Sequence, residues 1–163
     1  MNHSYKDKGF SAKIRLLKES SFMPAIAIGA RDIAGTGIFS SEYVVASKKF
    51  QNIDITLGIG WGNLSVDKIS NPLINLSDRL RSRGSSVSLK GGEFNKGTYF
   101  SGDVGIFAGV EIDIPNFSGL RVKFEYDSTD YSLEGFPSGR ESYAFERVRP
   151  SSSRINVCLL YTS

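Results

Sequence analysis

One cysteine, Cys158, and one histidine, His3, are all this sequence contains of either type, and that scarcity removes whole classes of chemistry. A single thiol forms no internal disulfide, and one histidine with one cysteine leaves a zinc site without a ligand set. Cys158 is therefore expected to be a small buried or lipid-facing apolar residue. Long apolar runs are missing as well. No stretch approaches the roughly 20 residues of a membrane-crossing helix, and residues 1–8 lack the apolar centre of a signal peptide. If the protein reaches an outer membrane, its export signal is expected to lie outside this chain and the sequence to be a fragment, although a cytosolic protein would lack a signal too. An excess of one charge is absent too. The 20 Lys and Arg against 17 Asp and Glu leave +3, with the basic residues scattered, so nucleic acid is not implied as a partner.

What the chain does have is glycine, 17 in 163 residues, and aromatics at 12%, which with only 2 Met point to an all-β protein with many turns. The hydrophobic fraction of 40% allows a core but not a rich one. Phe10, Ala12, Ile14 and Leu16 alternate with Ser11, Lys13 and Arg15, a period of two that no helix produces. The same pattern places strands at about residues 10–17, 24–32, 41–50, 53–61, 102–112, 120–127 and 155–161. The cleanest is the fourth, where Ile53, Ile55, Leu57, Ile59 and Trp61 alternate with Asp54, Thr56, Gly58 and Gly60. Residues 62–101 and 128–154 lose the periodicity and are expected to be long polar loops, the first with a short helical turn near residues 76–80. There is no internal repeat.

Connection lengths alternate: short at residues 18–23, 51–52 and 113–119, longer at 33–40, 62–101 and 128–154. Short turns at one end and long loops at the other are how outer-membrane barrels are built, and the strands approach the about 9 to 11 residues needed to cross hydrocarbon at a tilt. The expected fold is thus an antiparallel up-and-down β-barrel of outer-membrane type, present in part. Seven strands is an odd number where single-chain bacterial barrels generally have an even one. A soluble lipocalin-like barrel also has period-two strands and stays open as an alternative.

The charged residues Lys13, Arg15, Arg31, Glu42, Glu111, Arg121, Lys123, Glu125 and Asp127 fall on the faces assigned to a hydrated lumen. Tyr43, Trp61 and Tyr126 stand near strand ends as interface aromatics, with sugar stacking, also at Tyr131, as the other use of such rings. Arg31 and Asp32, followed by Gly35, Thr36 and Gly37, are expected to shape a loop by an ion pair and glycine turns. That segment lacks the Gly-Lys-Ser/Thr of a phosphate loop. Ser41, Glu42 and Tyr43 with Lys48 and Lys49 suggest a catalytic set, but neighbouring strand residues face opposite sides and only His3 is available as an imidazole base. No enzyme activity, metal or cofactor is expected.

Residues 24–64 read PAIAIGARDIAGTGIFSSEYVVASKKFQNIDITLGIGWGNL. This resembles the YjbH-type (WbfB) exopolysaccharide family, with its run P-x-I-x-x-G-x-R-D-x-x-G-T-G-x-x-S-S-E-Y-x-V-A-S-K and a following strand ending L-G-x-G-W-G. Residues 12–17 and 102–130, including VKFEYDSTDY, are similar too, so the resemblance covers about residues 10–157. Past it, residues 157–163 depart from the family's Gly-Leu-x-Tyr strand, as a truncated or altered end would. The resemblance implies a non-enzymatic outer-membrane lipoprotein-family barrel that assists exopolysaccharide export or assembly. Its implied partners are the lipid bilayer, the polysaccharide and other export proteins. A general porin-like or structural outer-membrane protein, and a soluble barrel binding a small apolar ligand, are the alternatives. The last of these requires the Ile53, Leu57 and Trp61 face to point inward.

Overall fold

The computed structural model describes residues 9–34, 37, 39–84, 97–117, 119–130 and 154–161. These form one antiparallel sheet of seven strands in chain order: β1 (Phe10–Leu17), β2 (Ala25–Ile33), β3 (Ser41–Phe50), β4 (Ile53–Gly62), β5 (Val104–Asp113), β6 (Leu120–Tyr126) and β7 (Ile155–Tyr161). The sheet is open, with β1 and β7 as its edges. Boundaries shift by a residue or two from the alternation. Pro24 has no N–H for the ladder, so β2 begins at Ala25. Gly102 has φ 77 and donates to the Leu80 carbonyl at 3.1 Å, which delays β5 to Val104. Asp127 falls just beyond β6.

Each strand pairs antiparallel with the next, and the β1–β2 pair carries register shifts between Phe10 and Ala12 and between Arg15 and Leu17. The tightest turn is Gln51-Asn52, which sets Phe50 opposite Ile53 and carries the ladder up to Ser41 opposite Gly62. Gln51 sits at φ 52 there. The register puts Ile14, Ile28, Val44, Ile59 and Ile106 in one row, and Val110, Phe124 and Val157 in another, on the same side of the sheet. Because strand side chains alternate, the opposite side carries Lys13, Gly29, Tyr43, Gly58 and Phe107. One face of the sheet is therefore apolar across all seven strands, and the other is polar.

The apolar face is uncovered over most of its area: Leu57 is 57% exposed, Ile14 62% and Val157 65%. Among the described residues the buried apolar side chains are few: Ala27, Val45, Trp61, Leu64 and Val104. A sandwich would bury such a face, because each exposed Leu, Ile or Val forgoes about 1.5–3 kcal/mol of transfer free energy. A contiguous apolar surface of this extent marks a contact with something apolar.

Short connections gather at one end of the sheet and long ones at the other. At the long end the β4–β5 connection makes two 3-10 turns, Pro72–Asn75 and Asp78–Leu80, one before and one inside the stretch expected to be helical. Residues 67–69 then fill the place beside β5 that the short β6 leaves empty. Ile69 and Val104 exchange backbone hydrogen bonds at 2.9 and 2.8 Å, and Asp67 accepts from the Ile106 N–H at 2.9 Å.

Candidate functional site

The polar face is a groove of about 690 Å³, with Lys13 and Arg31 on one flank and Glu111, Lys123 and Glu125 on the other. Along β3, β4 and β5 its floor carries Tyr43, Val45, Ser47, Thr56 and Phe107, with Asp54 of β4 at one end. Ser47 and Thr56 share a hydroxyl–hydroxyl hydrogen bond of 2.9 Å across the β3–β4 pair. Tyr43 and Phe107 meet edge to face, centroids 6.2 Å apart, and both rings lean over glycines. A Cβ on Gly29 would lie 2.4 Å from the Tyr43 ring, and one on Gly58 would lie 2.1 Å from Phe107. These two glycines are what admit the rings, so glycine in the strand gains a packing role that offsets its backbone entropy.

Charge is distributed unevenly across the groove. On the β5–β6 flank each cation has a carboxylate. Arg121 bridges Glu111 at 3.0 Å and Asp113 at 2.7 Å, Lys49 approaches Asp113 at 3.7 Å, and Lys123 pairs with Glu125 at 2.7 Å. On the β1–β2 flank, Lys13, Arg15 and Arg31 have no carboxylate within ion-pair distance among the described residues. Arg31 lies instead over the Tyr43 ring, 6.0 Å from its centroid.

At the long-loop end a second arrangement holds the β4–β5 connection onto the sheet. Glu42 is fully buried, and its carboxylate accepts from both terminal nitrogens of Arg83, at 2.8 and 2.9 Å, and from the Phe100 N–H at 2.9 Å. Arg83 also donates to the Ser40 hydroxyl at 3.0 Å. Next to Glu42 across the ladder, Trp61 is 1% exposed and packs edge to face on Phe100 at 5.2 Å. Asn71 ties the loop to itself, donating to the Leu80 and Phe100 carbonyls at 3.0 and 2.9 Å. Burial and the neighbouring Glu42 carboxylate push the Tyr99 phenol above its usual value. On the polar side, Ser128 donates to the Leu64 carbonyl at 2.9 Å, and both sit on Gly105, where a Cβ would be 2.2 Å from that carbonyl oxygen.

The structure sorts the expected residues as follows. Lys13, Arg15, Arg31, Glu111, Arg121, Lys123 and Glu125 share the polar face, and Asp127 lines the same groove just past β6. Glu42 does not join them. The Gln51-Asn52 turn pairs it with Trp61, on the apolar side, where the loop buries it. Tyr43 moves the opposite way, from an expected interface aromatic to the floor of the polar groove. Val44 and Val45 are both apolar, so alternation alone left the parity of β3 open, whereas counting back from the Phe50–Ile53 turn pair decides it. Trp61 is not an exposed girdle aromatic, because Phe100 covers it. Tyr126 lies on the apolar side near the loop end, 37% exposed, with its hydroxyl 3.1 Å from Asp67. Arg154 pairs with the same carboxylate. Asp32, at φ 53, accepts from the Phe39 N–H at 3.3 Å, and Gly37 has φ 77; Gly35, Thr36 and Tyr131 lie outside the described residues. Cys158 is exposed opposite Lys123, on the polar side of the sheet, and is neither buried nor on the apolar face.

Sequence reasoning did not single out Arg83, Phe100 or Phe107. Phe107 had a visible signal, a lone aromatic in the small-residue series Gly105, Phe107, Gly109. Arg83 and Phe100 had none, since they reach Glu42 across 41 and 58 residues of chain.

Residues 1–163 match the YjbH family, described as "Exopolysaccharide biosynthesis protein YbjH". The chain is 43% identical over 134 residues to the "Uncharacterized lipoprotein YjbH" of Escherichia coli (strain K12), covering 82% of this chain and 19% of that protein. It therefore spans about a fifth of the length of the curated relative it matches. No solved structure matches it. The chain belongs to the YjbH exopolysaccharide biosynthesis family.

Proposed function

We propose that this sheet is a section of the wall of an outer-membrane β-barrel, non-enzymatic, that assists export or assembly of an exopolysaccharide. The observation that carries the reading is the contrast between its faces: seven strands of uncovered apolar side chains on one side, a charged and hydroxylated groove on the other. In a bilayer the first face meets lipid and the second lines a hydrated lumen that guides the polymer. The edges support the same reading. In hydrocarbon every backbone N–H and C=O needs a partner, so β1 and β7 require further strands. A chain that matches 19% of its relative's length leaves residues elsewhere in a longer protein to supply them. Short turns at one end and long loops at the other suit the two sides of an outer membrane.

Spin labels placed singly at Leu57 and Thr56 in the full-length protein, reconstituted in bilayers, test this. The label at 57 is expected to meet lipid-soluble relaxation agents and the one at 56 water-soluble ones. Protein burial of the label at 57, with lipid exposure at neither site, would sink the membrane assignment and favour a soluble barrel with this face inward. A polymer role is separated from a general pore by solute flux through liposomes containing the protein. Similar rates for unrelated small solutes favour the general pore.

A further inference from the structure

We propose that Lys13, Arg31 and Tyr43 form a subsite for an acidic sugar unit, so that the polymer engaged by the groove carries carboxylate-bearing residues among neutral ones. This rests on the reading of the polar face as a polymer path. The three side chains come from three adjacent strands and line the same groove. Lys13 pairs across the ladder with Gly29, whose open face is filled by the Tyr43 ring, and Arg31 stands two residues along β2 with its guanidinium over that ring. Neither cation has a carboxylate within ion-pair distance among the described residues, while the cations Arg121 and Lys123 on the opposite flank do. Two neighbouring like charges repel, and an anion placed between them relieves that repulsion. Arg31 is held by the ring beneath it, so its planar fork is oriented before a carboxylate arrives.

The rest of the groove selects against a dense polyanion. Asp54, Glu111 and Glu125 face the same space, where they repel uniform negative charge but accept hydrogen bonds from sugar hydroxyls. Between the flanks, Val45, Phe107 and the Ser47–Thr56 hydroxyl pair offer the mixed apolar and polar contact that a pyranose ring presents. A chain with spaced carboxylates fits this surface. A polyphosphate does not.

Calorimetry on the full-length protein in detergent, with hexagalacturonate, maltohexaose and a short polyphosphate as probes, tests the assignment. Hexagalacturonate is expected to bind roughly tenfold more tightly than maltohexaose, the scale of two exposed ion pairs, with the difference shrinking as salt rises. The Lys13→Gln/Arg31→Gln variant is expected to abolish that preference, and Arg31→Lys to retain part of it. Both positions are exposed, and the far-UV spectrum of each variant verifies its fold. Equal affinity for the two sugars overturns the subsite and leaves the polymer path standing. A parental preference that survives in the folded double variant also overturns it. Binding of neither sugar overturns both readings. Tighter binding of polyphosphate than of hexagalacturonate overturns the subsite in favour of an unselective anion patch.

Discussion

Removing Arg83 strikes the contact that holds the β4–β5 loop to the sheet, and its consequence follows from burial. Glu42 is 0% exposed and its carboxylate is met by three donors: the two terminal nitrogens of Arg83 and the Phe100 N–H. Arg83→Ala deletes two of them and leaves a buried carboxylate with one. Breaking a buried pair from one side costs about 3–5 kcal/mol, and the 15% exposure of the Arg83 side chain puts the expected value near the lower end, about 3 kcal/mol. The loss falls on loop docking rather than on the ladder, because Glu42 remains paired with Trp61 and Ala30 through the backbone. Hydrogen exchange in the full-length protein reads it directly. The N–H groups of Phe100 and Gly102, both bonded within this loop assembly, are expected to exchange about 10²-fold faster, while those of Leu57 and Ala108 stay protected. Replacing both partners, Glu42→Leu with Arg83→Met, removes the orphaned charge and is expected to restore much of the Gly102 protection, whereas the Phe100 N–H loses its Glu42 acceptor and stays fast. The reasoning fails if Arg83→Ala leaves the Phe100 exchange rate within about threefold of the parent, or if Gly102 is no better protected in the double variant than in the single one.

Two further outcomes are expected. Gly58→Val drives a side chain into Phe107, where even a Cβ would sit 2.1 Å away, and is expected to destabilise the protein by about 1–3 kcal/mol in denaturant titrations; adding Phe107→Ala recovers part of that, and strict additivity would count against the contact. Tyr99 holds its proton more tightly folded than unfolded, so its contribution to loop docking is complete below its ordinary value of 10.0 and declines as pH rises through the folded value. The difference in phenolate absorbance between parent and Tyr99→Phe is expected to titrate above pH 10.0, and a midpoint at or below it would contradict the half-buried placement beside Glu42.

Strand by strand, the sequence alone determined the all-β class, the seven strands to within two residues and the alternation of short and long connections. These are local properties. Period two, turn residues and segment length are set within about ten residues of chain, as in Ile53, Ile55, Leu57 and Ile59 or in Val104, Ile106 and Val110. It also placed seven of the nine expected charged residues on the polar strand faces, because their strands have one unambiguous parity, and an eighth, Asp127, at the groove beside them. The tertiary structure decided what depends on pairing at a distance. Strand β3 has apolar residues at both parities, so only its register with β4 sends Tyr43 to the groove and Glu42 to the other side. Only the fold of the 41-residue connection between β4 and β5 brings Arg83 and Phe100 onto Glu42 and Trp61, converting an expected lumen charge and an expected girdle aromatic into the anchor of a loop. Alternation is written into each strand, whereas burial at a strand end belongs to whatever segment folds back over it.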